Sequence, residues 1–379
     1  MNNRIELLRQ SVASFGLDGA VVNPGASLRW LTGLNFHLME RPVVLYLGRE
    51  GRPQIILPEL ELAKLDGIRS ELEVHAFGDD PSTWQGLFAK ALGLGVGQNL
   101  RIGVEPTGLR FLELDLLQKA LPDAEFLNGS AIFADLRMIK DEHELKRMRK
   151  AAQIAEAALL ETLKTIRVGQ TEKEIAAELL IQLYQHGSDQ ELPFAPIVSS
   201  GPNSANPHAS PSDRRLQAGD LLLFDWGAGF ENDFSDITRC FFVDFVDERM
   251  IKIAETVQRA NHYAISGGQA GMQAGDVDTI ARTEIEESGF GEYFTHRTGH
   301  GLGMEAHEAP YIFRGNPLTL KRGMVFTVEP GVYVPGLGGV RIEDDVFVDE
   351  DGLTCLTSLP REVMTIDRYL HLMRIFENR

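Results

Sequence analysis

Two aspartates interrupt the apolar strands of LLLFDWGAGFENDFSDITRCFFV (residues 221–243), and they restrict the fold more than any other feature. The polar cluster GFEND between the apolar runs is typical of a tight turn, so this segment is predicted to be a β-hairpin. Asp225 and Asp236 are equidistant from the Phe230–Glu231 bond, which predicts that they face each other with Cβ atoms about 4.5–5.5 Å apart. Buried carboxylates at that separation repel each other unless a cation lies between them.

A second hairpin repeats this arrangement near the carboxyl end of the chain. In VFTVEPGVYVPGLGGVRIEDDVFV (325–348), PGLGG is the predicted turn, and Glu329 and Glu343 are each seven residues from Gly336. A β-bulge would shift either register by one residue. Four carboxylates in two symmetric pairs surround two divalent ions more naturally than one, so we expect a dinuclear metal centre.

The two hairpins end two halves of similar order, each running helix, helix, turn-rich loop and hairpin. The helical patterns cover 139–166 and 171–187 in the first half, and 247–266 and 276–288 in the second. Asp225 and Glu329 are 104 positions apart, and Asp236 and Glu343 are 107 apart. This spacing indicates a weak internal duplication in which two halves face each other.

The segment HRTGHGLGMEAHEAP (296–310) lies between the hairpins and contains three of the ten histidines. A site of carboxylate oxygens suits Mn²⁺ or Mg²⁺, and one added imidazole favours Mn²⁺, Co²⁺, Fe²⁺ or Zn²⁺. We expect one histidine ligand from this loop. Its glycines would let the backbone approach the metal centre closely.

The first 130 residues have a different pattern, in which short apolar runs alternate with helical stretches, and this is typical of an α/β domain. The predicted strands are 19–23, 42–48, 53–58, 72–77, 101–105 and 124–128. GLGVG (93–97) lacks the spacing of a dinucleotide or Walker phosphate loop. We therefore predict an α/β (α+β) protein with domains at 1–132 and 138–379.

Charge and cysteine content exclude several classes of partner. The net charge of −18 argues against nucleic-acid or anionic membrane surfaces, which need basic patches. No stretch approaches the roughly 18 apolar residues of a membrane span, and the first residues lack a signal-peptide core. Only Cys240 and Cys355 occur, which fits a reducing, cytoplasmic location.

The residues described so far resemble a known family. The order of Asp225, Asp236, His300, Glu329 and Glu343 resembles the metal ligands of the pita-bread metallopeptidases, which include methionine aminopeptidases, Xaa-Pro aminopeptidases, Xaa-Pro dipeptidases and creatinase. The motifs are FDWGAGFENDFSDITR, HRTGHGLGMEAHEAP, TVEPGVYV and GVRIEDD. The first 130 residues, with LTG after an apolar strand, resemble a creatinase-type N-terminal domain. The resemblance implies a pita-bread catalytic domain at 138–379.

The resemblance also implies a role for each ligand. Asp225 and Asp236 would chelate one ion, His300 would bind the second, and Glu329 and Glu343 would bind both. A hydroxide bridging the two ions would attack the scissile carbonyl. Mn²⁺ is the favoured metal, and Co²⁺, Zn²⁺ and Fe²⁺ are alternatives.

Four residues match catalytic positions of the family. Glu329 would transfer a proton, His307 would stabilise the tetrahedral intermediate, His208 would bind substrate, and Arg341 would support the site. His296 is left open between a partner of the site and a role in the loop.

The resemblance favours an Xaa-Pro dipeptidase or Xaa-Pro aminopeptidase acting on proline-containing dipeptides or short peptides, as a homodimer. A dipeptidase needs a group for the substrate's terminal carboxylate, and Arg297 and Arg314 are candidates because they lie nearby in sequence. Two alternatives remain: another amide or amidine hydrolase of this architecture, similar to ectoine hydrolase or creatinase, and a non-catalytic peptide-binding module.

Overall fold

Two units, Met1–Arg137 and Met138–Arg379, divide the chain in the computed structural model, which describes residues 1–93 and 97–377. The middle of GLGVG, residues 94–96, lies outside the described residues. Among the helices of the described ranges, none is long and apolar enough to cross a membrane.

The amino-terminal unit is built around one sheet, and all six predicted strands form. They are β1 (Gly19–Val22), β2 (Val44–Gly48), β3 (Gln54–Pro58), β4 (Glu73–Phe77), β5 (Arg101–Val104) and β6 (Glu125–Asn128). Their order is β4-β3-β2-β1-β5-β6, with β1 antiparallel to β2 and parallel to β5. The helices are α1 (Asn2–Ser14), α2 (Ala26–Thr32), α3 (Trp84–Leu92), α4 (Phe111–Ala120) and α5 (Ser130–Arg137). Phe88 and Leu117 pack on Val21 and Ile56 of the sheet.

The second unit begins with a pair of helices, and another pair follows about a hundred residues later, as the sequence predicts. The helices of this unit are α6 (Glu142–Thr165), α7 (Glu172–Gln185), α8 (Glu248–Gly267), α9 (Ala274–Glu287) and α10 (Ile366–Glu377). α7 begins with a capping box in which the Thr171 hydroxyl accepts from the Glu174 amide and the Glu174 carboxylate accepts from the Thr171 amide.

Each helix pair is followed by strands that form a sheet. The strands are β7 (Ile197–Ser200), β8 (Leu221–Trp226), β9 (Gly229–Phe230), β10 (Asp233–Phe234), β11 (Ile237–Phe242), β12 (Gly299–Gly301), β13 (Glu308–Ile312), β14 (Val325–Val328), β15 (Gly331–Val334), β16 (Gly338–Arg341), β17 (Asp344–Val348), β18 (Leu353–Cys355) and β19 (Met364–Thr365). The first sheet has the order β19-β11-β8-β7 and the second β13-β12-β14-β17-β18. β9 with β10 and β15 with β16 form two short separate ladders.

The core of the first half fixes the position of its hairpin. Leu159 of α6 and Leu179 of α7 pack against Phe224 and Phe241 of β8 and β11, and all four are buried. The Trp226 indole nitrogen donates to the Ala155 carbonyl at 3.0 Å. This packing anchors the strand that carries Asp225.

The two hairpins are joined where their acidic residues lie. Thr238 of β11 forms an isolated antiparallel bridge with Glu343, which immediately precedes β17. The Thr238 hydroxyl also donates to Glu343 Oε2 at 2.6 Å. The carboxylates of both halves are therefore brought to one place.

Candidate metal centre and active-site cavity

The register of the first hairpin differs from the prediction. Asp225 is paired with Thr238 rather than with Asp236. The turn is centred between Glu231 and Asn232, whose φ angles of 49° and 69° are those of a two-residue hairpin turn, one position later than predicted. Asp225 and Asp236 are therefore diagonal neighbours, a spacing across which long or polar side chains still reach each other.

The register of the second hairpin is as predicted. Gly331 pairs with Arg341 in the outer ladder and Val328 pairs with Asp344 in the inner one, so Glu329 lies opposite Glu343 between them. One register runs through both ladders because the loop after Val334 places Gly336 at φ 78°, the left-handed conformation that this three-residue turn needs.

His300 lies on β12 beside these carboxylates. Its Nε2 is 3.3 Å from Glu329 Oε1 and 3.7 Å from Asp236 Oδ2. Its Nδ1 is 3.1 Å from the Gly301 carbonyl, which can only accept, so Nδ1 carries the proton and Nε2 presents a lone pair. Burial and then the neighbouring His307 hold the pKa of His300 well below its ordinary value. The ring is therefore neutral, the form that binds a metal.

The buried carboxylates repel one another, and a cation between them would remove that repulsion. Burial, then repulsion from Glu343 and Asp225, raises the pKa of Asp236 well above its ordinary value. Burial, then Glu329, does the same to the pKa of Glu343. Burial raises the pKa of Glu329 to about 7, against the opposing charge of Arg341. Such shifts mark carboxylates whose charge has too little compensation from the protein.

Two carboxylate oxygens without a hydrogen-bond donor show where the negative charge lacks compensation from the protein. Oδ1 of Asp225 and Oδ1 of Asp236 are buried and accept no hydrogen bond within the described residues. Ligand atoms within 4.8 Å of one another occur in three overlapping groups: Asp225, Asp236 and Glu343; His300, Glu329 and Glu343; and Asp236, His300 and His307. Four carboxylates and one neutral imidazole fit two divalent cations by charge and by donor type. That the five residues act as ligands stays a prediction.

The glycines around His300 have a different function from the expected one. A Cβ on Gly299 would lie 1.8 Å from the Thr327 carbonyl oxygen, and one on Gly301 would lie 2.2 Å from that of Ala309. These glycines allow β12 to lie tightly against its neighbouring chain segments, and not against the metal centre. They fix His300 by close backbone packing.

Arg341 is the centre of a hydrogen-bond network that supports Asp225. Its guanidinium donates to Asp225 Oδ2, to the Tyr333 hydroxyl at 2.6 Å and to Thr238 Oγ1 at 3.1 Å. The Tyr333 oxygen lies 2.9 Å from His296 Nε2, and His296 Nδ1 lies 2.7 Å from the Arg297 carbonyl. Because Nδ1 must donate to that carbonyl, Nε2 accepts the Tyr333 proton.

This network answers the question left open for His296 and adds a residue that sequence reasoning missed. His296 orients Tyr333, which in turn holds Arg341 against Asp225. Tyr333 resembled an ordinary apolar strand position. The signal was present, since Tyr333 is two residues from Gly331, the partner of Arg341, and so lies on the same face of the ladder.

The Tyr333→Phe variant is expected to bind metal normally but to turn over about 10-fold more slowly. Loss of the hydroxyl removes one of the acceptors of Arg341 and the donor to His296 Nε2, a penalty of about 1–3 kcal/mol that loosens Asp225. Steady-state kinetics and metal analysis measure this. Tyr263→Phe, at a 44 % exposed position, is the control. An unchanged kcat would contradict a positioning role.

A cavity of about 620 Å³, within the usual range for small-molecule sites, opens onto the acidic cluster. Its apolar lining residues are Pro193, Phe194, Ala195, Ile197, Pro207 and Ala306. His208 and His307 are exposed to this space, and the rings of His307 and His300 lie 4.0 Å apart between centroids. Both predicted catalytic histidines therefore line the same cavity as the five predicted ligands.

The two arginines proposed for a substrate carboxylate differ in position. Arg297 lines the cavity. Arg314 is not among the residues that line the cavity and donates to Glu286 at 2.8 Å on the exposed surface. Of these two candidates, only Arg297 lines the cavity.

Comparisons with known proteins agree with this geometry. Residues 146–350 match the model of metallopeptidase family M24, and residues 4–139 match that of the creatinase/prolidase N-terminal domain. An Xaa-Pro dipeptidase from Lactobacillus delbrueckii subsp. lactis is 32% identical over 363 residues, 96% of this chain and 98% of that protein. The crystal structure of a prolidase from Thermococcus sibiricus matches with a TM-score of 0.90 and 36% identity, over 96% of this chain and 98% of the other. An X-Pro aminopeptidase from Thermotoga maritima matches with a TM-score of 0.79 and 31% identity, over 94% and 99%. The predicted pita-bread architecture with its smaller α/β N-terminal domain is confirmed.

Proposed function

This chain belongs to metallopeptidase family M24, and on that premise we propose that it is a metal-dependent peptidase that hydrolyses the Xaa-Pro bond of dipeptides or short peptides. Relatives and structural neighbours carry the names Xaa-Pro dipeptidase, prolidase and X-Pro aminopeptidase. The single observation that carries the proposal is the convergence of four acidic side chains and His300 in a cavity that also has apolar lining residues. The apolar lining suits a proline ring, and the acidic cluster suits cations.

Two divalent ions in this site would lower the pKa of a water and polarise the scissile carbonyl. Glu329 lines the cavity, and its carboxylate would accept the proton of the attacking water and deliver it to the proline nitrogen, which leaves as a secondary amine. His307 and His208 would donate hydrogen bonds to the oxygen that gains negative charge. Arg341 would act indirectly, because its guanidinium is committed to Asp225 and Tyr333.

We also propose that the ions are Mn²⁺, because the donor set is mostly oxygen with one imidazole. Co²⁺, Zn²⁺ and Fe²⁺ are the alternatives, to be ranked by activity after metal replacement. A cytoplasmic homodimer is the proposed working form. The free thiols of Cys240 and Cys355 are compatible with a reducing compartment. Light scattering on the purified protein tests the dimer.

The activity is tested with protein that has been stripped of metal and reloaded with Mn²⁺. The substrates are Ala-Pro, Ala-Pro-Ala and a peptide that begins with Met-Ala, each with and without chelator. We expect chelator-sensitive cleavage of the Xaa-Pro substrates and none of the methionyl peptide. If no peptide is cleaved in a metal-dependent manner, the peptidase proposal is wrong and a different amide hydrolase or a binding module takes its place.

A further inference from the structure

We propose that the buried carboxylate of Glu172 is a positioning residue for the loop that carries His208 to the active-site cavity. This loop, residues 200–212, is the His208 loop. The inference rests on the proposed function and adds to it a residue that acts on the reaction from outside the cavity. His208 lines the cavity, whereas Glu172 is not among the lining residues and acts only through the loop.

Glu172 accepts hydrogen bonds from both ends of the His208 loop. It lies in the first turn of α7 and is fully buried. Its Oε1 accepts from the Ser200 amide at 2.7 Å and from the Ser200 hydroxyl at 2.8 Å. Its Oε2 accepts from the Ser212 amide at 3.0 Å and from the Ser212 hydroxyl at 2.6 Å. The side-chain amide of Asn203 donates to both oxygens, at 3.3 and 3.1 Å. One carboxylate therefore joins the two ends of the loop.

The groups around this carboxylate require an acceptor at both of its oxygens. Backbone N–H groups can only donate. The Ser200 hydroxyl accepts from Arg214 Nη1 at 2.6 Å, and the Ser212 hydroxyl accepts from the Arg214 amide at 3.1 Å, so each directs its own proton to Glu172. The Arg214 guanidinium pairs with Asp220 and not with Glu172. The charge of Glu172 is therefore compensated by oriented donors of the loop, and by the amino-terminal end of α7.

The placement of His208 depends on the loop because its own side chain is not anchored. Within residues 1–93 and 97–377, the His208 imidazole forms no hydrogen bond. The His208 amide donates to Asn206 Oδ1 at 3.1 Å, and the Ala209 amide donates to the Asn206 carbonyl at 3.1 Å, so a tight turn presents the ring. A shift of the loop ends moves this turn, and a misplacement of about 1 Å can cost about 100-fold in rate.

The middle of the His208 loop is anchored separately. The Ser204 hydroxyl accepts from the Gly339 amide at 2.8 Å, and a Cβ on Gly339 would lie 2.2 Å from the Ser204 carbonyl oxygen. The Pro207 carbonyl accepts from Arg341 at 3.4 Å. These contacts keep the loop against β16 when Glu172 is changed. We therefore expect a substitution of Glu172 to loosen the loop ends and not to unfold the domain.

The test is a double-mutant cycle of Glu172→Gln and His208→Ala, measured as kcat/KM on Ala-Pro with Mn²⁺-loaded protein. Glutamine keeps the size of the side chain but places an NH₂ donor against N–H and O–H donors. We expect Glu172→Gln to lower kcat/KM by about 10–100-fold and His208→Ala by about 100-fold. Both losses should divide between kcat and KM in the same proportion. The double variant should lie within about 2-fold of His208→Ala, because the residue through which Glu172 acts is already absent.

Glu174→Gln is the matched control. Glu174 lies in the same turn of α7 and is exposed, and its side chain accepts from the Thr171 amide, which a glutamine also does in a capping box. This variant should have wild-type kinetics. Metal analysis gives a readout independent of turnover, and the wild type, Glu172→Gln, His208→Ala and Glu174→Gln should each bind two Mn²⁺ per chain.

Several results would overturn the assignment while the proposed function stands. Glu172→Gln or His208→Ala could leave kcat/KM unchanged. The loss of the double variant could equal the product of the two single losses, because Glu172 would then act independently of His208. Glu172→Gln could lose bound metal, because its effect would then pass through the metal centre.

A milder variant keeps the test decisive if Glu172→Gln is poorly folded by circular dichroism. Ser212→Ala then takes its place in the cycle, because it removes one donor to Oε2 and leaves the carboxylate intact. A smaller loss that disappears in the His208→Ala background supports the assignment, and no loss or an additive loss refutes it. A wild type that cleaves no Xaa-Pro substrate refutes the proposed function together with this inference.

Discussion

Replacing Asp236 by asparagine is expected to reduce peptidase activity by more than about 100-fold and to lower the bound metal from two ions to one or none per chain. Residues one step removed from a metal typically cost 10–100-fold when changed, so loss of a ligand should cost more. Asp236, His300 and Glu343 each contribute to two of the three groups of ligand atoms, so Asp236 is one of the residues that these groups share.

The same variant is expected to be no less stable than the wild type when both are free of metal. In the metal-free protein, burial and repulsion from Glu343 and Asp225 disfavour the charged form of Asp236, which is why its pKa is raised. A neutral amide removes that repulsion. Mn²⁺ at 100 times its dissociation constant should stabilise the wild type by about 2.7 kcal/mol per site. Asp236→Asn should lose most of this gain in a thermal melt.

Asp233→Asn is the matched control for these measurements. Asp233 is also buried and only three residues away, but its carboxylate pairs with Arg147 at 2.5 Å and belongs to none of the ligand groups. The Asp233→Asn protein should therefore retain two ions per chain. An Asp236→Asn protein that keeps two ions and full activity would refute the dinuclear site.

The second large effect is expected for Arg239→Met, which should lower the free energy of unfolding by about 3–5 kcal/mol and the melting temperature by roughly 10 °C. Arg239 is 1 % exposed. Its guanidinium donates to Asp344 Oδ1 at 2.7 Å and to the carbonyl oxygens of Thr238, Glu343, Leu359 and Pro360. The variant removes five hydrogen bonds and leaves a buried carboxylate with less compensation.

Asp344 depends on Arg239 for the stability of its buried negative charge. Burial acts to raise the pKa of Asp344, but Arg239 and Arg361 outweigh it and lower that pKa to about 2. Arg361→Met is the control, since its side chain is 28 % exposed and contacts the same carboxylate at 2.6 Å. It should shift the melting temperature by only a few degrees. Equal shifts for both variants would contradict the importance assigned to the buried arginine.

Much of the fold could be predicted from the sequence because its signals are local. The six strands of the first unit follow apolar runs bounded by turn residues, and α7 follows a capping box at Thr171 and Glu174. The second hairpin was predicted in the correct register because Gly336 supplies the left-handed residue of its turn. In these cases the residue type alone restricts the backbone.

The first hairpin could not be placed in the same way. The centre was predicted from the symmetric placement of Asp225 and Asp236, whereas the left-handed residues of the turn are Glu231 and Asn232, which centre it one residue later. Tyr333 was missed because its contact with His296 depends on a loop that folds back onto the strand, although its contact with Arg341 follows from the register of the ladder.

The sequence by itself determined the chemistry of this protein: four carboxylates and one histidine in an order and spacing that predict two divalent cations, and an α/β domain ahead of them. The tertiary structure alone decided how these groups meet. The Thr238–Glu343 bridge joins the two hairpins and brings together carboxylates more than a hundred residues apart. It also decided that Arg341 pairs with Asp225 of the protein and that Arg297 lines the cavity. Hydrogen-bond partners distant in sequence are chosen by packing, and no local pattern of residues encodes that choice.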